Sequence, residues 1–326
     1  MKIAIVGAGW VGCHLAYKLK EFHNITIYEK NENLFTESSY FNQNRLHRGY
    51  HYARSYETRN LCNDTYSRFV QEYGFLTKII PNNIYCVPKS NSLIDYKTYL
   101  KIFEGFNYTP VELKTLRNIE GAINTDERYI DCFEAHDFFN RELKSITKKV
   151  HVDDIRELAK EYDLVINCTN NHIKDPESDT AFYELTQTLV YSRIKPTPEF
   201  DALTLVDGPL FSIYPYERNF TLTDVEYTPI KKFITIKDLY NFKNSFDWKT
   251  ERKFRKMIKK VENYFPEFKT HFKNIGYFTS TKCKVVSGSD SRYPIITKHD
   301  NIVNCFTGKI QGIFIIEEKI KEIIND

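Results

Sequence analysis

The sequence predicts an α/β protein of two domains, and three observations support this prediction. The chain has 326 residues, which is enough for two domains of ordinary size. It opens with a βαβ pattern: an apolar run before Gly7, apolar residues at helical spacing around Gly12, and a second apolar run ending at Glu29. The later segments do not continue a regular alternation of strand and helix. We therefore expect a second domain to interrupt the first one in the sequence.

Three glycines lie between the first predicted strand and the first predicted helix. Gly7 allows a tight turn, Gly9 lets the backbone approach a pyrophosphate, and Gly12 lets the helix pack closely on the strand. The helix N-terminus offers N–H groups and the positive end of its dipole to phosphates. About twenty residues further on, the carboxylate of Glu29 can accept hydrogen bonds from ribose hydroxyls. The pattern therefore predicts a Rossmann-type domain that binds a dinucleotide.

Composition excludes several other classes of protein. A net charge of +3 and a sequence pI near 8.3 are too mild to indicate binding to nucleic acid or to an anionic membrane. The seven cysteines are scattered and form no CxxC pair, which argues against a disulfide framework and a zinc site. The first strand begins at once, which leaves no room for a signal peptide, and no apolar run approaches the roughly eighteen residues of a membrane span. We expect a soluble, cytoplasmic protein without a metal, whose 15% aromatic residues mostly form its core.

Periodicity and turn residues predict the remaining elements. After Glu29, residues 31–54 are polar and aromatic without a clean period, which indicates a functional loop with a short helix. Helices are predicted over 55–73, 96–103, 131–146, 249–264 and 312–324. Strands are predicted over 79–87, 149–152, 163–168 and 302–306, with a strand-rich region over 181–236. The basic face of the helix 249–264 is interpreted as solvated surface.

Four separated segments resemble flavoproteins of the D-amino-acid oxidase (DAO) family. The first is the glycine pattern with Glu29, which matches the family's ADP-binding start. The second, residues 42–52, has a His-x-Gly-x-x-Tyr pattern from His47 to Tyr52 and is similar to L-2-hydroxyglutarate dehydrogenase, where this stretch lies against the flavin ring. The third comprises residues 150–152 and 164–170, which resemble the adenine-side strand and a strand end that usually carries glycine where Asn170 stands.

The fourth segment comprises residues 288–292 and 306–312, which resemble the family's final strand, turn and helix. Family members more often have Gly-His-Gly at this turn, so Lys309 is a departure. The resemblance implies a Rossmann-type, glutathione-reductase-like FAD-binding domain and a substrate domain with a mixed antiparallel sheet. The implied FAD-binding domain is discontinuous, over 1–78, 120–176 and 284–326. The implied substrate domain covers 79–119 and 177–283.

The resemblance also implies which residues contact FAD. The predicted cofactor-binding residues are Gly7, Ala8, Gly9, Trp10, Val11, Gly12, Glu29, Lys30, Asn44, Arg45, Leu46, His47, Val152, Cys168, Thr169, Asn170, Gly308, Lys309 and Ile310. Lys309 and the neighbouring N–H groups are predicted to face the pyrimidine side of the flavin, where negative charge develops on reduction.

Histidine suits proton removal from a substrate near neutral pH. His47 and His51 are therefore the candidate bases, and the family pattern favours His47. Arg45, Arg48 and Arg292 are candidates for holding a carboxylate or phosphate. Tyr214 is a candidate for the substrate side of the flavin, although burial in a sheet core also explains it. The catalytic prediction is thus His47, His51, Arg292 and Tyr214.

The implied function is FAD-dependent oxidation of a small polar substrate by hydride transfer to flavin N5. The substrate would be a hydroxy acid, an amino acid or amine, or a sugar derivative. Three alternatives remain at this point: a flavin-dependent sugar mutase or isomerase without net redox change, a nicotinamide-dependent dehydrogenase, and a non-catalytic flavin-binding protein. The sequence leaves open the substrate, the electron acceptor, the oligomeric state and whether the flavin is covalently bound.

Overall fold

The computed structural model describes residues 1–174, 181–197, 199–246, 251–285 and 292–326. The predicted family motif at 288–290 and the first residues of the helix predicted over 249–264 lie outside these ranges. No described helix has the length and apolar character needed to cross a membrane.

The described residues form eighteen strands and nine α-helices, together with short 3-10 turns. The strands are β1 (Lys2–Val6), β2 (Asn24–Glu29), β3 (Arg45–Leu46), β4 (Thr77–Ile79), β5 (Asn83–Pro88), β6 (Tyr108–Val111), β7 (Ile119–Thr125), β8 (Arg128–Ile130), β9 (Thr147–Lys149), β10 (Leu164–Asn167), β11 (Ala181–Arg193), β12 (Ala202–Leu205), β13 (Phe211–Tyr216), β14 (Asn219–Asp224), β15 (Pro229–Phe233), β16 (Phe272–Val285), β17 (Ile295–His299) and β18 (Ile302–Phe306). The helices are α1 (Trp10–Leu19), α2 (Tyr56–Tyr73), α3 (Tyr96–Ile102), α4 (Cys132–Leu143), α5 (Ile155–Ala159), α6 (Ile236–Ser245), α7 (Glu251–Tyr264), α8 (Phe268–His271) and α9 (Ile313–Asn325).

The chain divides into two compact units. The first unit contains Met1–Phe41, Cys132–Tyr183 and Thr281–Asp326, and the second contains Asn42–Asp131 and Glu184–Ser280. Each unit has its own sheet and its own core.

The first unit is built on a six-stranded sheet in the order β17-β18-β10-β1-β2-β9. The pairs from β18 to β9 are parallel, and β17 is antiparallel to β18. Residues Ile3 to Val6 of β1 are at most 3% exposed, as expected for a parallel strand covered on both faces. Helix α1 packs against α4 and α9. The predicted Rossmann-type domain is confirmed.

The second unit is built on a nine-stranded sheet in the order β15-β11-β14-β13-β12-β5-β7-β6, with β16 paired to β11. A three-stranded sheet, β3-β8-β4, belongs to the same unit. Successive residues of β5 point to opposite faces: Cys86 packs in a core with Met257 of α7, whereas Tyr85 packs in a core with Tyr99 of α3. Among the described residues, the largest fully buried side chains are tyrosines and phenylalanines, which confirms the predicted aromatic core.

Three predicted elements are wrong in detail. The strand predicted over 79–87 is two strands, β4 and β5, because Pro81 lies between them and has no N–H for a sheet hydrogen bond. The loop over 31–54 contains the short strand β3 and no helix; within it Gly49 has a φ of +104°, which no helix accommodates. The strand predicted over 149–152 is β9, which ends at Lys149, although Val150 still donates a hydrogen bond to the carbonyl of Glu29 (2.9 Å).

The largest differences between the two units and the predicted domain boundaries lie at residues 42–78 and 120–131. Both stretches group with the second unit. The reason is visible at Arg45 of β3, whose Nη2 donates to the Tyr85 hydroxyl of the nine-stranded sheet at 2.8 Å. Residues 44–47 remain predicted to contact FAD, although they group with the second unit.

A buried contact between a histidine and a carboxylate joins α1 to α9 in the first unit. The Nε2 atom of His14 lies 3.1 Å from Oε2 of Glu317, and both side chains are nearly inaccessible. Lys321 donates to the other carboxylate oxygen at 2.6 Å. Although burial alone would raise it, the hydrogen bonds from His14 and Lys321 lower the pKa of Glu317 to about 2. The carboxylate is therefore more stable in the folded chain than in the unfolded one.

Glu317→Gln is expected to destabilise the protein near neutral pH by about 3 kcal/mol, which is the linkage value of a carboxyl pKa lowered from 4.5 to about 2. Because the folded pKa is depressed, this stabilisation is present above about pH 4.5 and is lost as the pH falls through about 2. Urea unfolding of both proteins at pH 7 and pH 3 measures the difference. Glu318→Gln, at the next and exposed position, is the control. If Glu317→Gln lowers the free energy of unfolding as much at pH 3 as at pH 7, the ionised state assigned to Glu317 is wrong.

Candidate functional site

The first unit gathers four predicted site segments at one edge of its sheet. Strands β18, β10, β1 and β2 are neighbours and parallel, so their carboxyl ends meet there. Gly7 follows β1, Glu29 ends β2, Cys168 follows β10, and Thr307 follows β18. Ligands of open α/β sheets bind outside the carboxyl ends of the strands.

The glycines at this edge form a cradle that side chains would fill. Gly7 has a φ of +96°, and a Cβ on it would lie 2.8 Å from the carbonyl oxygen of Cys168. A Cβ on Gly12 would lie only 1.9 Å from the carbonyl oxygen of Gly7. Gly9 is the N-cap of α1. A turn this tight, opening on a helix N-terminus, fits the pyrophosphate of a dinucleotide.

Glu29 is held beside this turn. Its side chain is 8% exposed; Oε2 accepts from the backbone N–H of Ala8, and Oε1 accepts from that of Asn31, both at 2.9 Å. An ionised carboxylate has about four acceptor positions, so acceptor capacity remains for ribose hydroxyls. Lys30, predicted beside it, forms an ion pair with Glu37 at 3.2 Å.

The side chain of Trp10, a residue predicted to contact the cofactor, packs in the core of the first unit. Its ring is 7% exposed and packs edge-on against Phe35 and Phe139, with centroids 4.9 and 5.3 Å away. Its backbone N–H donates to the Ser39 hydroxyl at 2.9 Å. The side chain therefore belongs to the core, and the neighbouring Val11 follows it in the first turn of α1.

The strand end at Cys168 accommodates the departure from the family pattern. Cys168 is buried and donates its N–H to the carbonyl of Val6 at 2.8 Å. Thr169 donates through its N–H and its hydroxyl to Oδ1 of Asn167, at 3.1 and 2.7 Å. Asn170 has a φ of +55°, a conformation that glycine adopts freely and asparagine tolerates better than most residues. Val152, the predicted adenine-side residue, packs on the core formed by β1 and β10.

The turn after β18 lies against Arg292, one of the predicted site residues. A Cβ on Gly308 would lie 2.9 Å from Cδ of Arg292, so the arginine stem covers this glycine. The N–H of Lys309 donates to the Thr307 hydroxyl at 3.2 Å, and Ile310 starts a 3-10 turn that leads into α9. A short 3-10 turn, Ile310–Gly312, thus precedes α9, and the sequence predicts the helix from Gly312 onward.

In the second unit, Arg45 anchors a polar cluster. Its Nη1 donates to Ser212 at 3.2 Å, and its Nη2 donates to the hydroxyls of Tyr85 and Thr204 at 2.8 and 2.9 Å. Its guanidinium lies 4.3 Å from the ring centroid of Tyr214. Tyr214 is fully buried and donates its hydroxyl to the carbonyl of Arg128 (3.4 Å), so it supports the arginine from within the sheet.

The histidine candidates follow Arg45 in a loop. His47 is 4% exposed, and His51 is half-buried. Their rings are nearly parallel with centroids 5.9 Å apart, and Tyr52 meets both rings edge-on. Leu46 is fully buried, so only its backbone can serve a ligand. Asn44, also buried, has a φ of +48° at the start of β3.

Glu127 is a member of this cluster that the sequence does not indicate. It is fully buried and accepts from the backbone N–H of Arg48 (2.6 Å), from Tyr85 Oη (2.5 Å) and from Asn83 Nδ2 (3.3 Å). Its Oε1 lies 3.9 Å from Nδ1 of His47. Burial raises the pKa of Glu127, against the lowering effects of the nearby Arg45 and of these hydrogen bonds.

Comparisons with known proteins agree with this geometry. Residues 2–85 match the DAO family, described as FAD dependent oxidoreductase. The chain is 33% identical to the FAD-dependent monooxygenase FPY4 of Fusarium mangiferae over 340 residues, which cover 99% of this chain and 91% of that protein. It is 24% identical to the FAD-dependent monooxygenase kojA of Aspergillus flavus over 371 residues, covering 100% and 86%.

Solved structures share the fold at low sequence identity. The glycine oxidase of Geobacillus kaustophilus superposes with a TM-score of 0.73 at 12% identity, covering 99% of this chain and 94% of that one. The L-alpha-glycerophosphate oxidase of Mycoplasma pneumoniae, solved with FAD bound, has a TM-score of 0.69 at 12% identity, covering 100% and 94%.

Proposed function

The chain belongs to the FAD-dependent oxidoreductases, and we propose that within this family it oxidises a small polar molecule at a carbon that bears a hydroxyl or amino group. FAD is its cofactor. When bound, FAD supplies a ring that accepts two electrons with a hydride. The substrate class that we propose is the one the sequence suggests: a hydroxy acid, an amino acid or amine, or a sugar derivative.

The observation that carries this proposal is the glycine cradle with Glu29 in the first unit. The turn at Gly7 and the N-terminus of α1 suit the pyrophosphate, and Glu29 suits the ribose. We assign Cys168, Thr169 and Asn170 to the same ADP end. Lys309 and Arg292, after β18 and before it, are assigned to stabilising negative charge near the reacting end of the cofactor.

His47 is the group that we assign as the general base. A base must hold the proton that it removes, and the buried carboxylate of Glu127, 3.9 Å from Nδ1, stabilises the imidazolium that results. Arg45 is committed to Ser212, Tyr85 and Thr204, which makes it a support of this loop. His51 is the alternative base.

A second candidate is monooxygenation, in which the substrate gains an oxygen atom. It is favoured by the names of the fungal relatives reported above, one of them 33% identical across 99% of this chain. The two candidates differ in what reduces the flavin: the substrate in the first, and a separate reductant such as a reduced nicotinamide in the second.

Anaerobic mixing of the FAD-loaded enzyme with panels of compounds separates these functions. The panels are hydroxy acids, amines and sugars. If the proposal holds, a compound from one of them bleaches the flavin absorbance within seconds, and admitting oxygen or an artificial acceptor restores the absorbance. Bleaching by reduced nicotinamide alone, with labelled oxygen found in a product, favours the monooxygenase. Turnover of a sugar nucleotide without net bleaching would instead indicate a mutase, and the oxidation proposal would be abandoned.

A further inference from the structure

A cavity of about 620 Å³ opens in the second unit, within the size range of small-molecule sites. Its wall is formed by α2, by the segment after β4, and by β6, β7 and β8. Polar and aromatic side chains line most of it, among them Arg48, Arg128, Tyr66, Tyr108, Asn107 and Asn124. Arg45, Tyr85 and Glu127 of the polar cluster described above do not line this cavity.

Arg48 presents its guanidinium to the cavity in a fixed orientation. Its guanidinium carbon lies over the ring of Tyr66, 4.0 Å from the ring centroid, and its Nε donates to Oδ1 of Asp126 at 2.7 Å. Among the described residues, neither terminal nitrogen of Arg48 donates to a protein atom. These nitrogens are the pair that can hold two oxygens of a carboxylate or phosphate.

Arg128 supplies a second guanidinium to the same cavity. Its Nη1 donates to the Thr77 hydroxyl at 3.1 Å, and within the described ranges its Nη2 and Nε have no protein acceptor. Asp126 is the single acidic side chain among the lining residues, and both of its oxygens are engaged, by Arg48 and by Asn107 (3.1 Å). The lining therefore keeps one excess positive charge, with donors already aimed by stacking and by hydrogen bonds.

We propose that this cavity binds a small oxyanion, a carboxylate or a phosphate, between Arg48 and Arg128. The two guanidinium groups would hold the anion through charge-assisted hydrogen bonds. Asn107, Asn124 and Tyr108 would contact the remainder of the molecule. Arg48 is among the residues that the sequence analysis names as candidates for holding an anion, but the proposal rests on neither the glycine cradle nor His47.

Calorimetric titration of the FAD-loaded enzyme tests the site at constant ionic strength, so that general screening does not change. Inorganic phosphate and succinate are the two probes. We expect one of them to bind with one site per chain, and Arg128→Met to weaken that binding at least about tenfold, since a charged hydrogen-bond donor is removed. Arg128→Lys keeps the positive charge but lacks the paired N–H donors of the guanidinium. It should therefore weaken binding of the anion less than Arg128→Met does.

Arg68→Met is the matched control, because Arg68 lies on α2, pairs with Glu72 and does not line the cavity. It should bind the probe as the parent protein does. Binding of phosphate alone or of succinate alone identifies the class of anion. The absence of binding by both probes, or equal weakening by Arg68→Met and Arg128→Met, would overturn the proposal. Neither result depends on turnover, so failure here leaves the proposed oxidation untouched.

Discussion

Replacing His47 with glutamine is expected to lower the rate of flavin reduction by the substrate by a factor of about 10² to 10⁴, the usual contribution of a general base. Glutamine nearly preserves the size and polarity of the side chain but cannot take up a proton near neutral pH. Because the His47 ring is buried beside Glu127, the substitution also costs some stability, so flavin content and melting temperature are measured together with the rate. Stopped-flow measurement of anaerobic bleaching gives the rate directly.

His51→Gln is the matched control for this experiment. His51 lies in the same loop, and its ring centroid is 5.9 Å from that of His47, so a general disturbance of the loop would affect both variants. We expect His51→Gln to retain most of the rate. If His51→Gln loses the rate and His47→Gln does not, the assignment of the base is reversed. If both retain it, neither histidine is the base.

Much of the first unit could be predicted because its information is local. Gly7, Gly9, Gly12 and Glu29 lie within one short stretch, and each has its role from backbone geometry alone. The neighbour of β1 on its other side from β2 could not be predicted in the same way. The strand β10 pairs with it from more than one hundred residues away, as Ile3 opposite Leu164 shows, and pairing at this separation depends on tertiary packing.

Glu127 shows why the candidate site of the second unit was only partly predictable. It stands in a run of three charged residues, Asp126 to Arg128, which is typical of an exposed turn. Its burial depends on donors that come from elsewhere in the chain, Arg48, Asn83 and Tyr85. Trp10 of the first unit shows the opposite error. Its position in the family motif suggests a contact with the cofactor, but its ring packs in the core.

Gly12→Ala is expected to reduce retention of FAD during purification and to weaken FAD binding by up to about 100-fold. The added Cβ would lie 1.9 Å from the carbonyl oxygen of Gly7, so either α1 moves away from β1 or the turn at Gly7 opens. Overpacking of this kind costs about 1–3 kcal/mol, and about 3 kcal/mol corresponds to a factor near 100 in affinity. The ratio of flavin to protein absorbance and a fluorescence titration of the apoprotein with FAD measure both effects.

Gly74→Ala is the control, because Gly74 has a helical φ of −57° and a Cβ there would meet only Val70 at 3.7 Å. It should keep full flavin content, whereas a Gly12→Ala protein that purifies yellow with unchanged affinity would show that the turn does not hold the cofactor.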